Sequence, residues 1–257
     1  MKHILVCVKA VPVSSSVEVD GQHRLKRDGV SLQWNIADES ALEAAFRLAD
    51  RDGSVTVLTM GPPKLEGPLL ELLARGANRA VLITDRLMAG ADTRATARAL
   101  ASAAALGPFD AVFCGCKAID GETGQVPGEL AAALGLPCIS NAEKVEAAGD
   151  ELLVTRRLED GVQNLTVSRS AMVSFSSYSY PLRLAGILGM RRARKTPVEI
   201  LTAADLGLTP EDCGLKGSLT KVVAMESRFP GLRRGPKETD LDAGVQNLRV
   251  LLREVRP

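Results

Sequence analysis

The residues with most chemistry to offer lie in one run, Gly115-Cys116-Lys117-Ala118-Ile119-Asp120-Gly121-Glu122-Thr123-Gly124-Gln125-Val126. It leaves a short apolar segment and enters a helical pattern, with glycines at the turn. Such a turn presents unpaired backbone N–H groups at a helix start, where partial positive charge and free donors suit a phosphate or pyrophosphate. Gly121 and Gly124 would let that group approach the backbone closely. The spacing matches neither of the common phosphate-loop patterns. Many sheets also have glycine-containing turns without a ligand, so both readings stand on these residues alone.

A second candidate is Gly90-Ala91-Asp92-Thr93-Arg94-Ala95-Thr96. Asp92 is a natural N-cap. Thr93 and Thr96 fall three apart on one helical face at its positive end, where hydroxyls and N–H groups could jointly hold a diphosphate. Two anion sites on neighbouring loops would fit a dinucleotide. Asn35, Asp38 and Glu39 open an earlier helix as N-cap and first-turn acids.

Catalytic inventory is otherwise thin. The two histidines, His3 and His23, fall in the first strand and an early loop, and no Ser-His-Asp, Cys-His or paired-carboxylate arrangement is visible. The five cysteines (Cys7, Cys114, Cys116, Cys138, Cys213) are odd in number and mostly sit in apolar runs, which suits reduced, buried thiols. Cys114 and Cys116 have no histidine nearby and read as strand-end residues, not a metal site. A nucleotide site with no catalytic groups predicts a carrier, sensor or regulatory subunit before a hydrolase.

These loops need a frame. Ile4–Val8, Val55–Leu58, Ala80–Ile83 and Ala111–Cys114 are short apolar runs, the pattern of parallel strands buried on both faces. Helical spacing lies between them: Ala41, Ala44, Ala45 and Leu48; Leu69 to Leu73 before Gly76; Thr93 to Leu106; and Glu122 to Leu134. The alternation predicts an α/β fold with a doubly wound, mostly parallel sheet, which binds ligands beyond the C-terminal ends of its strands. Leu152–Thr155, the turn Glu159-Asp160-Gly161 and Leu165–Val167 predict an added antiparallel hairpin within 150–168, after which Ala171–Phe175 returns to the sheet. The expected domain is 1–200, followed by a C-terminal arm, 201–257. That arm contains a linker-like stretch, Arg228 to Lys237, and an amphipathic helix, Asp240 to Val255, that either grips a partner or folds back.

Composition excludes several classes. With 32 basic and 31 acidic side chains the net charge is +1, so no nucleic-acid partner is implied. No apolar stretch approaches the length needed to span a bilayer, which predicts no membrane insertion and a cytoplasmic protein. The basic cluster Met190-Arg191-Arg192-Ala193-Arg194-Lys195 reads as a solvated face or a binding patch.

Six ordered blocks resemble the electron-transfer flavoprotein beta subunits. They are Ile4 to Pro12; Asn35 to Leu48; Met60-Gly61-Pro62 with Arg75 to Ala80; Lys117 to Gln125, the most specific; Arg156 to Gly161; and Asp205 to Leu208 with Gly214 to Ser218. The resemblance implies an adenine-nucleotide-hydrolase-like fold and a heterodimer with a larger alpha subunit that carries an FAD. It also implies a nucleotide in this subunit, either a structural AMP or, in an electron-bifurcating branch, a second FAD reduced by NADH. By position the site would comprise Cys7, Asn35, Asp38, Met60, Gly115, Lys117 and the turn Asp120, Gly121, Glu122, Thr123, Gly124, Gln125, Val126. Asp92, Thr93 and Thr96 resemble the bifurcating branch, which favours FAD. The function implied is electron transfer between a flavin dehydrogenase, such as an acyl-CoA dehydrogenase, and an acceptor, with Leu184, Arg191, Arg192, Arg194 and Lys195 for docking.

Departures from the pattern are Ile36 and Ala37 in place of a proline and an aromatic, Ser170 in place of a proline, and a loose match from Tyr180 to Pro197. A rival reading is a non-redox adenine-nucleotide-binding regulatory or stress protein on the same sheet, self-sufficient as a homodimer and free of flavin.

Overall fold

A computed structural model describes residues 3–13, 31–49, 53–223 and 239–254. In chain order the elements are β1 (His3–Cys7), β2 (Ala10–Pro12), β3 (Leu32–Trp34), α1 (Ile36–Leu48), β4 (Ser54–Met60), α2 (Glu66–Arg75), β5 (Arg79–Ile83), α3 (Thr93–Ala104), β6 (Ala111–Gly115) and α4 (Val126–Leu134). There follow β7 (Cys138–Ala148), β8 (Glu151–Leu158), β9 (Gly161–Ser168), β10 (Ala171–Phe175), α5 (Ile187–Ala193), β11 (Val198–Leu201), the single turn α6 (Gly214–Gly217) and α7 (Leu241–Glu254).

The main sheet has the order β11-β5-β4-β1-β6-β10-β7-β8-β9. From β11 to β7 neighbouring strands run parallel, and β7-β8-β9 is antiparallel. The chain builds one wing from β1 through β4 and β5, then returns to place β6 on the other side of β1. That reversal opens a crevice beyond the C-terminal ends of β1 and β6, where such sheets take ligands.

Period-two alternation sorts each strand between two cores. Ile4, Val6, Val57, Phe113, Val173 and Phe175 pack with α1, α2 and α5; Leu5, Cys7, Leu58, Cys114 and Met172 pack with α3 and α4. Alanines on the buried faces of α1 and α3 let both helices sit close to the strands.

The four parallel strands and the hairpin lie where expected, and α2 stops at Gly76, whose φ of 141° suits a residue without Cβ. Two helix boundaries need correction. The third expected helix ends at Ala104, and the fourth starts at Val126 instead of Glu122, with Pro127 in its first turn. Residues 116–125 therefore form an extended loop, longer than a tight strand-to-helix turn.

Unexpected elements are the small antiparallel pair β2-β3, the long β7, the edge strand β11 and the short α5. β11 spans the expected boundary at residue 200, and Ala203, Leu206 and Cys213 beyond it are buried against the α3 side. The linker expected at Arg228 to Lys237 lies outside the described residues. In α7 the apolar residues Leu241, Val245, Leu248, Leu251 and Leu252 are exposed. Among the described residues no helix is long and apolar enough to cross a membrane.

Candidate nucleotide site

The crevice is closed at its base by α1. Asp38, in the first turn and 6% exposed, accepts a hydrogen bond at Oδ2 from the Lys9 backbone N–H (2.8 Å) and at Oδ1 from that of Gly115 (2.7 Å). Gly115 is glycine for lack of room: a Cβ there would lie 2.4 Å from Asp38 Oδ1 and 2.7 Å from Ala37 Cβ. Asn35 does not cap its own helix by its side chain. Instead Nδ2 donates to the Lys117 carbonyl (3.0 Å), Oδ1 accepts from the Ile119 N–H (3.3 Å), and its N–H donates to the Lys9 carbonyl (2.9 Å). The expectation that Asn35 and Asp38 serve the start of α1 thus gives way to a longer reach: they join the loops after β1 and β6 to α1.

Burial pushes the Asp38 carboxyl up to about 7, against hydrogen bonds from Lys9, Gly115 and Asn35 that favour its charged form. Beside it, burial and then the Asp38 charge push the Cys7 thiol up to about 12. Burial likewise raises Cys114 well above the ordinary thiol range. Both are packing thiols at the strand ends, far from nucleophilic. Met60, half-buried at the end of β4, packs against the same core.

The loop after β6 is pinned by Lys9 Nζ on Asp120 (2.7 Å) and by the Glu122 N–H on the Ala118 carbonyl (2.8 Å), with Lys117 and Glu122 3.8 Å apart. Glu122 is left-handed at φ 51° and Gly124 at φ 63°; the former is an uncommon conformation for a residue with a side chain. Thr123, Gly124 and Gln125 are exposed, and their backbone N–H groups have no acceptor among the described residues.

At the start of α3, Asp92 caps as expected, Oδ1 accepting from the Ala95 N–H (2.9 Å). Its other oxygen, which sequence reasoning left unused, accepts from the N–H groups of Leu219 (2.8 Å) and Thr220 (2.9 Å) and from Thr220 Oγ1 (3.1 Å), while its own N–H donates to Ser218 Oγ (2.8 Å). Burial raises this carboxyl, but the donors outweigh that and hold it below the usual range. Thr93 Oγ1 lies 3.1 Å from both Gln125 Oε1 and Glu129 Oε1, and so joins the starts of α3 and α4. The Thr93 and Arg94 N–H groups have no acceptor among the described residues, and Thr96 is half-buried one turn on.

The docking candidates lie away from this crevice, on the face of the sheet carrying α2. Leu184 is 86% exposed, with Ile187 at 72% and Leu188 at 79% beside it. Arg191, Arg194 and Lys195 are exposed, whereas Arg192 donates to the Leu73 carbonyl (3.0 Å). Lys9, Glu129, Ser218 and Thr220 were missed in the sequence, since none carries a local pattern. The first two act on loops more than 30 residues away, and the last two on Asp92 from over 120.

The family model for an electron transfer flavoprotein domain matches residues 23–206. The chain is 42% identical over 251 residues to the electron transfer flavoprotein subunit beta of Thermoanaerobacterium thermosaccharolyticum, covering 96% of each chain. It is 40% identical over 222 residues to the subunit of the same name from Clostridium acetobutylicum, covering 86% of each. Against subunit CarD of the caffeyl-CoA reductase-Etf complex of Acetobacterium woodii the figure is 36% over 223 residues, 85% of each. A domain match across most of the chain, with relatives aligned almost end to end, means that this chain belongs to the electron transfer flavoprotein family, among its beta subunits.

Proposed function

We propose that the crevice binds FAD, and that the chain carries electrons as one half of a heterodimer with an alpha subunit holding a second FAD. The observation that supports FAD over AMP is the bridge at Thr93. It ties the start of α3, where the N–H groups of Thr93 and Arg94 are free, to the loop with the free N–H groups of Thr123 to Gln125, which would make two anion-binding sets on neighbouring elements. A diphosphate would use both sets; a single phosphate would use one.

The residues fit such a ligand. The turn Asp120 to Val126 and the Thr93 and Thr96 hydroxyls would take the phosphates. Gly115, whose missing side chain lets α1 close up beneath the loop, and the buried Cys7 would form the floor, and Met60 and Lys117 would line the approach. Asn35, Asp38 and Asp92 spend their hydrogen bonds on protein backbone, so they position these loops and leave the ligand to their neighbours. Bound FAD would supply reversible redox chemistry; the chain's contribution is to bind, orient and shield.

Exposed Leu184, Ile187 and Leu188, flanked by Arg191, Arg194 and Lys195, would dock an acidic flavin dehydrogenase such as an acyl-CoA dehydrogenase. CarD belongs by name to a caffeyl-CoA reductase-Etf complex, which supports a reductase partner; NADH would be the electron source were the complex of the bifurcating kind. The test is to purify the heterodimer and quantify released nucleotides. Two FAD and no AMP are expected; one of each would overturn FAD in this subunit, and no flavin would overturn the electron-carrying role.

A further inference from the structure

The segment from Ser176 to Gly186 has no helix or strand, yet it carries the exposed Leu184 and leads into α5. Loops that expose apolar residues ordinarily hold them loosely. This one is fixed by an ion pair whose acidic member is buried. Glu43, on the buried face of α1 and 4% exposed, accepts from Arg183 Nε (2.9 Å), a second guanidinium nitrogen (3.1 Å) and the Arg183 backbone N–H (3.2 Å), and from Arg47 Nε (3.0 Å). Burial alone would raise this carboxyl; the two arginines outweigh it and hold it below the ordinary range.

Around the ion pair the contacts continue. The Arg183 guanidinium lies 4.7 Å from the centre of the Phe46 ring, and that of Arg47 lies 5.2 Å from the Tyr180 ring. Arg75 donates to the Arg183 carbonyl (2.7 Å), and Tyr180 Oη accepts from the Val145 N–H (2.9 Å). Farther along, α5 is seated on α2 through Gly189, where a Cβ would lie 2.0 Å from the Ala74 carbonyl oxygen. Leu184, Ile187 and Leu188 sit between two fixed points and still face outward.

A buried carboxylate costs several kcal/mol of desolvation unless it is paired, and here its pairing fixes a segment whose Tyr180, Leu182 and Ala185 pack on the core while Leu184 faces outward. We infer that Glu43 is a positioning residue for partner docking: through Arg183 it holds the apolar segment 184–188 in its docking shape before the dehydrogenase arrives. The inference rests on the docking role proposed above. Preorganisation of this kind lowers the ordering cost of association, so its loss shows in partner affinity and leaves the nucleotide site untouched.

The test uses the purified heterodimer, an acyl-CoA dehydrogenase with its acyl-CoA as electron donor, and the KM for the heterodimer as readout. Glu43→Gln should raise that KM by roughly tenfold, with kcat and FAD content unchanged and amide exchange accelerated across 180–188. Arg183→Met, which leaves Glu43 paired to Arg47, should reproduce the effect should the first variant fold poorly, and Glu43→Asp should recover part of it. The double variant Leu184→Ser, Ile187→Ser tests the docking role itself. If it raises KM while Glu43→Gln and Arg183→Met leave KM and exchange unchanged, the positioning role is wrong and the docking surface stands. If the double variant leaves KM unchanged, the docking reading falls and this inference falls with it.

Discussion

Asp38→Asn asks whether the junction beneath the nucleotide crevice works as its geometry indicates. The buried carboxyl accepts one backbone N–H at each oxygen, from Lys9 and from Gly115, and both oxygens keep lone pairs for these donors whether or not the group holds a proton. An asparagine of the same shape offers one oxygen and one NH2, so whichever way it turns, one N–H faces another donor. A buried donor left unsatisfied costs about 1–3 kcal/mol. In a chain of this size each kcal/mol is worth about 2–4 °C in Tm, so a drop of several degrees is expected.

The same substitution carries a pH signature. The folded-state pKa of Asp38 lies at about 7, above the ordinary 3.8, so between those values the folded chain holds a proton that the unfolded chain has released. Its contribution is therefore fully present at low pH and declines as pH rises toward neutrality. From about pH 5 to about pH 8 that decline amounts to about 2–3 kcal/mol for a shift of this size. Asparagine does not titrate, so the deficit of the variant should be largest near pH 5 and shrink by that amount near pH 8. Urea unfolding followed by Trp34, the single tryptophan, buried in β3 next to Asn35, reads the difference directly. A deficit that grows with pH would refute the reasoning. It would mean that the two N–H donors outweigh burial and hold the carboxylate charged.

Other outcomes follow from the same geometry. Thr93→Val with Thr96→Val removes the hydroxyl bridge between α3 and α4, and the heterodimer should retain less FAD at this site on gel filtration; unchanged retention would remove both residues from the diphosphate site. Gly189→Ala forces its new methyl into the Ala74 carbonyl, so α5 should lift from α2, seen as faster amide exchange over 187–193, with a stability loss of about 1–3 kcal/mol. Raising salt should slow electron transfer from an acyl-CoA dehydrogenase, because Arg191, Arg194 and Lys195 are exposed and screened; a salt-insensitive rate would exclude them from steering.

The sequence carried the parallel half of the sheet well, because strands buried on both faces write themselves as unbroken apolar runs. It carried β7 poorly. That strand pairs parallel to β10 at one end and antiparallel to β8 at the other, with register shifts near Ala142, so its buried residues Ile139, Ala142 and Val145 fall three apart and imitate no strand period. The expected and observed starts of α4 differ for a related reason: Glu122 has the character of a first-turn acid, but it takes a left-handed conformation that a local pattern does not announce. At the site, types and spacing picked out the loops, and the resemblance picked out Asn35 and Asp38. What neither supplied was the direction of their hydrogen bonds, which is set by tertiary approach.

The placement of those bonds gives α1 two ends with separate duties. Asn35 and Asp38 at its start fix the loops of the crevice, and Glu43 and, in the last turn, Arg47 fix the segment that exposes Leu184. Between them Ala41, Leu42, Ala44 and Ala45 are fully buried against the sheet, so the helix has no room to slide or tilt. From Asn35 to Glu43 is eight residues, about 12 Å along a helix. A carrier that receives electrons from a docked partner would gain from such a rod, since the proposed docking surface and the proposed nucleotide would then be held at one separation. A mobile loop in the same place would give a range of separations. The buried carboxylate at position 43 is costly as a stabiliser of the fold alone; in the docking role proposed for 184–188, tying that segment to this rod would be a use that hydrophobic packing does not supply.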